Sequence, residues 1–348
     1  MAKQVKYAVV ACGAIAQRRH LPEAAANPRS KVVAVADIRE DRVREVAGKY
    51  GCPGYTDHKR MLKEVDCDAV VVCGPNKYHA PQTLDAFKAG KHVLVEKPMA
   101  TTRADAKKMI AASKKARKHL MIGLNQRLSP PHVKAREILD GGKLGKVLSF
   151  RTAFAHAGPD SWSLDGANSW FFDPELAVMG ATGDLGVHKA DLMRYLLNDE
   201  FTHVGGIVET RDKKDGRGKL IGLDDNAYLT LRTKKGAVGY IVASWTNYGQ
   251  SEGNYTAIYC ENGVMELAMD PDFGVVVKYS NGNVEKHKVG AVASNERQTS
   301  SGVIDTFTDC ILKNRKPEID GIEGYRCLNV ILTAMDASKR AKVLPLKD

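Results

Sequence analysis

Five short apolar runs alternate with helix-like stretches over the first 125 residues, and this alternation constrains the fold more than any other feature of the chain. Tyr7 to Val10, Val32 to Ala36, Ala69 to Cys73, Val93 to Val95 and Met121 to Gly123 read as strands covered on both faces. Between them the pattern predicts helices over 15–26, 40–50, 57–65, 78–89 and 102–118. Strands and helices in alternation form βαβ units, which demand a parallel sheet. Ligands bind such sheets outside the carboxyl ends of the strands. One strand end is unusually well marked. Val-Leu-Val-Glu-Lys-Pro (93–98) stops at a proline that has no N–H for the ladder, so Lys97 leaves a strand end in a restricted direction.

The remainder changes character. Leu229–Arg232 and Val238–Trp245 flank Lys234-Lys235-Gly236, Tyr255–Cys260 and Val264–Met269 flank Asn262-Gly263, and Val275–Tyr279 precedes Asn281-Gly282. Asn-Gly between alternating runs is a strong hairpin signal. We therefore expect an α/β chain with two domains, consistent with 348 residues. Residues 1–125 form a doubly wound parallel sheet. Residues 126–348 form an α+β domain with a large, open, mostly antiparallel sheet, and closing helices near 300–314 and 322–341 pack on that sheet or return to the first domain.

Seven scattered cysteines without C-x-x-C spacing indicate neither a disulfide framework nor a metal site. No apolar run approaches the ~18 residues needed to span a bilayer, and the chain is read as soluble, untargeted and cytoplasmic. The net charge of +11 invites a nucleic-acid or membrane reading. The basic residues are dispersed over one helical stretch (Lys107 to Lys118) and separate turns without interleaved aromatics, so neither partner is expected.

Ala11-Cys12-Gly13-Ala14-Ile15-Ala16 follows the first strand and opens the first helix, the context of a dinucleotide fingerprint. Gly13 and Ala16 fit; Ala11 stands where glycine is usual and is tolerable at negative φ. Cys12, Gly13, Ala14 and Ile15 are the candidate pyrophosphate contacts. Asp37 ends the second strand, where a carboxylate accepts from the adenine ribose hydroxyls and opposes a 2′-phosphate. Arg39 offsets part of that repulsion, so NAD is expected ahead of NADP without excluding it.

Gly-Pro-Asn-Lys-Tyr-His (74–79) and Ala-Gly-Lys-His-Val-Leu-Val-Glu-Lys-Pro-Met-Ala (89–100) together resemble the Gfo/Idh/MocA oxidoreductase family (glucose-fructose oxidoreductase / inositol dehydrogenase-like). Gly183-Asp184-Leu185-Gly186-Val187-His188-Lys189-Ala190-Asp191 is similar to that family's D-x-G-x-H-x-x-D segment. The resemblance implies that Gly74, Pro75, Asn76, His79, Glu96, Lys97, Asn125 and Trp170 lie along the cofactor. It implies that Lys97, Asp184 and His188 are catalytic, with Arg127 joining them toward substrate. His156 falls in a loop that matches no family motif; it is a substrate candidate as part of a loop whose aromatic rings could stack on a sugar face, the other reading being a loop packed on its own aromatics.

The spacing of Asp184, His188 and Asp191 puts all three on one helix face, and glycines 180, 183 and 186 would leave room for cofactor or substrate. Oxidising a secondary alcohol requires loss of the hydroxyl proton, and histidine titrates near working pH. His188 is the expected base, Lys97 the donor to the same oxygen, and Asp184 the acceptor for a neighbouring hydroxyl, while Asp191 would orient His188. The expected substrate is a cyclic polyol or sugar (inositol or glycoside 3-hydroxyl class), and the expected assembly a dimer or tetramer. The alternatives are an NAD-assisted glycoside-cleaving enzyme and a non-catalytic NAD-binding regulator.

Overall fold

The computed structural model describes residues 4–249, 253–290 and 301–347. Six parallel strands, β1 (Val5–Val10), β2 (Ser30–Ala36), β3 (Gly54–Tyr55), β4 (Ala69–Val72), β5 (His92–Val95) and β6 (Leu120–Ile122), form the first sheet in the order β3-β2-β1-β4-β5-β6. Val9, Val70, Val71, Val93 and Leu94 are wholly buried, as continuous valine-rich runs require when helices cover both faces. The strand order reverses between β1 and β4, which opens a crevice at their carboxyl ends. The sequence reading missed only β3, a two-residue edge too short to show a period. In place of a regular helix over 15–26 the chain makes a wide turn with i→i+5 bonding at Ala16–His20, then an α-helix at Leu21–Ala26.

The second sheet has nine strands: β7 (Val147–Ala155), β8 (Phe201–Glu209), β9 (Asn226–Thr233), β10 (Val238–Ser244), β11 (Tyr255–Cys260), β12 (Gly263–Leu267), β13 (Val275–Tyr279), β14 (Val284–His287) and β15 (Leu344–Pro345). Their order is β14-β13-β12-β11-β7-β10-β9-β8-β15, and β7–β10 is the parallel pair in an otherwise antiparallel ladder. The expected hairpins β9–β10, β11–β12 and β13–β14 are present. β7 and β8 were not anticipated, because neither is bounded by an Asn-Gly turn. Along β9 the buried residues Ala227, Leu229, Leu231 and Thr233 alternate with outward ones, so one face is covered and the other is open.

The closing helices divide their work. Val303–Leu312 returns to the first sheet, where the Phe307 ring lies 6.3 Å from that of Tyr7 and the hydroxyls of Tyr7 and Thr308 are 2.9 Å apart. Residue 300, where that helix was expected to begin, lies outside the described residues. Gly321–Arg340 is capped by the Asp320 carboxylate, which accepts from the amides of Ile322 and Glu323 at 2.9 and 3.1 Å. It packs on β8 and on the helix Val187–Leu197 while its start touches β6, since a Cβ on Gly324 would meet Ile122 at 2.6 Å. Among the described residues no helix is long and apolar enough to cross a membrane.

Lys189, on Val187–Leu197, is fully buried and its Nζ has no hydrogen-bond partner; its nearest aromatic ring is Phe154, 5.9 Å away. Burial alone pulls its pKa down to about 7. The unfolded chain therefore binds more protons between about pH 7 and the ordinary lysine value, and stability must rise with pH across that window. We expect about 2 kcal/mol of stabilisation in urea unfolding between pH 7 and pH 9 from this group. Lys189→Met should remove that increment and be the more stable protein at pH 7, as the difference between the two urea curves will show.

Candidate active site

A cavity of about 620 Å³ opens at the carboxyl ends of β1, β2 and β4 and is roofed by the segment 165–176. Val10, Gly13, Asp37, Arg39, Gly74, Pro75 and Trp170 line it, so both halves of the fingerprint region and one distant tryptophan meet here. A Cβ built on Gly13 touches nothing within 4 Å, which leaves the backbone open to a close ligand at a helix start. Ala11 departs from the expectation of negative φ. Its φ is 68°, the left-handed region where glycine is at home, and its N–H donates to the Ala36 carbonyl at 2.7 Å. Cys12 turns inward: its amide donates to Asp37 Oδ2 at 2.7 Å and its buried thiol is pushed up to about 12. Asp37 Oδ1 accepts the Arg39 amide at 2.9 Å, so the carboxylate is fixed at the rim of the cavity. Open backbone at Gly13, a fixed carboxylate at the end of β2 and a crevice at the switch point fit a dinucleotide.

Beyond the cavity, Lys97 spans the two sheets. The peptide Lys97–Pro98 is cis. Lys97 Nζ donates to Asp184 Oδ1 at 2.6 Å and to the Asp184 carbonyl at 3.0 Å. An ammonium has three N–H groups, so one remains for another acceptor. Asp184 Oδ2 accepts the Trp245 indole N–H at 3.0 Å. Burial would raise the Asp184 pKa, but the Lys97 charge, His156 and these hydrogen bonds outweigh it, and the carboxylate is held below its usual range.

His156 lies alongside, with Nε2 3.9 Å from Asp184 Oδ2. Its Nδ1 accepts the Gly158 amide at 2.9 Å, which assigns the ring proton to Nε2, a buried group with no protein partner. His188 is buried with Nδ1 unpartnered, its ring 6.0 Å from that of Phe154. Desolvation, with the charges of Lys97 and Arg19, drives its pKa well below the ordinary histidine value. The expectation of titration near working pH is thus corrected: the ring stays neutral at and above neutral pH.

Glu96, expected along the cofactor, turns instead beneath Lys97 into a buried cluster with Arg19 and His20. Glu96 Oε1 accepts from His20 Nε2 at 2.7 Å and Arg19 at 3.2 Å, and Glu96 Oε2 accepts the Lys97 amide at 3.2 Å. Burial opposes ionisation of Glu96, but the His20 hydrogen bond and the charges of Arg19, His20 and Lys97 keep its pKa far below the usual range. The wide turn Ala16–His20 turns both Arg19 and His20 inward to this carboxylate. No motif signals it.

Several expected contacts face elsewhere. Asp191 does not orient His188. It pairs with Arg127, whose Nε donates to Asp191 Oδ2 at 2.9 Å and whose Nη2 donates to Glu323 at 3.0 Å. Both residues lie in the regular helix Val187–Leu197, but the Asp191 carboxylate is taken by Arg127 and not by the His188 ring. Arg127 consequently lines a separate cavity with Arg136 and Arg194, not the substrate end of the cleft. His79 is buried between the carbonyls of Gly74 (2.8 Å) and Pro98 (2.7 Å), and burial lowers its pKa. It ties two loops together. Asn76 Nδ2 donates to the Ala177 carbonyl at 2.8 Å, and Asn125 is buried in the turn after β6.

The glycines of 180–186 make room for protein. A Cβ on Gly180 would sit 1.8 Å from the Asp224 carbonyl oxygen, and one on Gly183 2.6 Å from Met179 Cβ. Asp224 in turn accepts from the amides of Gly180 (2.9 Å) and Thr182 (2.7 Å) and from the Thr182 hydroxyl (2.8 Å). No group of three His, Cys, Asp or Glu suited to a metal occurs among the described residues.

Residues 5–124 match the family described as "Oxidoreductase family, NAD-binding Rossmann fold", and 132–266 match "GFO/IDH/MocA C-terminal domain". A levoglucosan dehydrogenase from Pseudarthrobacter phenanthrenivorans is 30% identical over 248 residues, covering 66% of this chain and 62% of that protein. A myo-inositol 2-dehydrogenase from Thermotoga maritima is 31% identical over 216 residues, covering 60% and 59%. The chain thus matches about three-fifths of the length of these relatives. A levoglucosan dehydrogenase in complex with NADH shares the fold at a TM-score of 0.89, with 21% identity over 99% of this chain and 100% of that one.

Asp224 anchors the turn that carries Asp184. In Asp224→Ala two buried amides lose their acceptor, at about 1–3 kcal/mol each. We expect a loss of roughly 3 kcal/mol in denaturant unfolding.

Proposed function

Because the chain belongs to the Gfo/Idh/MocA oxidoreductase family, we propose that it is an NAD-dependent dehydrogenase oxidising a secondary hydroxyl of a cyclic polyol or sugar, of the inositol or glycoside 3-hydroxyl class. One observation carries this reading: an ammonium with one uncommitted N–H, held on Asp184, in the same buried cluster as a neutral histidine. Residues 1–125 would hold the cofactor and 126–348 the substrate, in a cytoplasmic protein. Gly13, Ala14 and Ile15 would meet the pyrophosphate, Asp37 the adenine ribose, and Gly74, Pro75 and Trp170 the walls between. Hydride acceptance is the chemistry the nicotinamide supplies when bound.

The chain's own residues manage the proton and the field. His188, neutral because it is buried, accepts the hydroxyl proton. Lys97 donates its remaining N–H to the same oxygen and stabilises the charge that develops there. Asp184 fixes the ammonium, and its remaining lone pairs can accept from a neighbouring hydroxyl. His156 Nε2–H offers a further donor beside it.

The open face of the second sheet supports a homo-oligomer. Ile207 on β8 and Tyr228 on β9 are cross-strand partners, 57% and 56% exposed, and Tyr240, Tyr255 and Tyr259 extend the same face. Uncovered apolar sheet faces tend to become interfaces. Light scattering at micromolar concentration should return a dimer or tetramer mass; a monomer would remove this claim.

NAD reduction screened over inositols, aldoses and glycosides tests the activity. Lys97→Ala and His188→Ala should each lower turnover by roughly a hundredfold or more while NAD binding persists. Since His188 must be neutral to accept a proton, the acid limb of kcat/KM should fall below the ordinary histidine range and vanish in His188→Ala. Near-normal turnover in either variant would remove that residue from the catalytic set, and NAD binding without turnover across the whole screen would favour a regulator instead.

A further inference from the structure

Asp165 reaches across the cavity from the far side. It sits just before the short helical turn Gly166–Asn168, in the segment that roofs the cleft, and Asp165 Oδ1 accepts from Arg39 Nη1 and from Arg42 Nη2, both at 3.0 Å. Arg42 Nη2 is also 3.2 Å from Asp165 Oδ2. All three residues line the cavity. Arg39 is held a second time, by Asp41, with Nη2 to Oδ2 at 2.6 Å.

The segment carrying Asp165 is itself fixed. Asp160 pairs with the buried Lys213 at 2.9 Å, and Trp170 stacks on Phe171 with ring centroids 3.9 Å apart. The acid is therefore presented by an anchored loop. Asp37 lies at the same rim, so three carboxylates (Asp37, Asp41, Asp165) face two guanidiniums there. Arginines beside the end of β2 are the groups that would accommodate a 2′-phosphate in such a fold. Here Arg39 Nε, Nη1 and Nη2 each already donate to a carboxylate, and Arg42 Nη2 donates to both oxygens of Asp165.

We propose that Asp165 is a cofactor-specificity residue: it holds Arg39 and Arg42 in ion pairs and so keeps a 2′-phosphorylated dinucleotide from using them. This rests on the reading of the cavity as the NAD site. A 2′-phosphate arriving at that rim meets a net negative set and must displace a carboxylate from two arginines, whereas a ribose 2′-hydroxyl needs only the acceptor that Asp37 supplies.

Dissociation constants for NAD and NADP, measured by calorimetry on the full chain without substrate, test the assignment. The native protein should bind NAD at least tenfold more tightly. Asp165→Asn should lower the ratio of the NADP to the NAD constant by tenfold or more, chiefly through tighter NADP, and that gain should weaken steeply with added salt. Asp165→Glu should keep the native ratio. Adding Arg42→Gln to Asp165→Asn should cancel the gain, a result that a merely loosened loop would not produce. A native preference for NADP, a ratio that moves less than twofold in Asp165→Asn, or parallel changes in both constants would overturn the proposal while leaving the cavity as a dinucleotide site. Native protein that binds neither nucleotide would instead remove the cofactor reading, and the proposal with it.

Discussion

The ion pair between Lys97 and Asp184 joins the end of a strand in the first sheet to the turn beneath the second, and the geometry of the cleft depends on it. Both side chains are largely removed from water, a situation in which the desolvation cost offsets most of the Coulomb attraction. Such a pair adds little net stability. Its worth is geometric, because a short bond between two otherwise separate elements fixes where the ammonium stands. Glu96, Arg19 and His20 extend the same logic one layer down, gripping the Lys97 amide from behind. Losing either partner would strand a buried charge, at about 3–5 kcal/mol.

Much of the first sheet was readable because its strands are valine-rich runs set between helices, a pattern that demands a parallel sheet. The hairpins were readable for a different reason: each turn carries a glycine at positive φ (Gly236, Gly263 and Gly282) that punctuates the alternating runs. Lys97 and His188 were marked by their motifs. What escaped was whatever depends on partners far apart in sequence. Asp191 looks like a helper of His188 when only their helical spacing is considered. Its carboxylate goes to Arg127 because an arginine from the turn after β6 stands beside it and supplies a buried charged partner. No local spacing encodes that choice.

The glycines teach a similar lesson. Glycines at 180, 183 and 186 suggested space for a ligand, since glycine does permit close approach. The approaching group is the chain itself: Asp224 at the first, Met179 at the second, Ile331 and Ala243 at the third. Asp224 lies 40 residues downstream of Asp184, so its hold on this turn has no signature in the sequence around it. Ala11 shows the reverse error. A residue that departs from the usual glycine was expected to avoid the left-handed region, yet it occupies it, with its amide still bonded to Ala36. The surrounding sheet imposes that conformation at a cost of about 1–2 kcal/mol.

The helix Val303–Leu312 completes the cover of a sheet whose first strand begins at Val5. Tyr7 and Thr308, which share a hydroxyl contact there, are 301 residues apart in sequence. During synthesis the first sheet therefore leaves the ribosome long before the segment that shields one of its faces. The face around Tyr7 must wait, water-exposed or transiently covered, until the helix Val303–Leu312 has emerged. Closure of the cofactor-side sheet is thereby tied to the arrival of residues 303–312, so a product truncated before them would carry the dinucleotide fingerprint on an unfinished and adhesive surface.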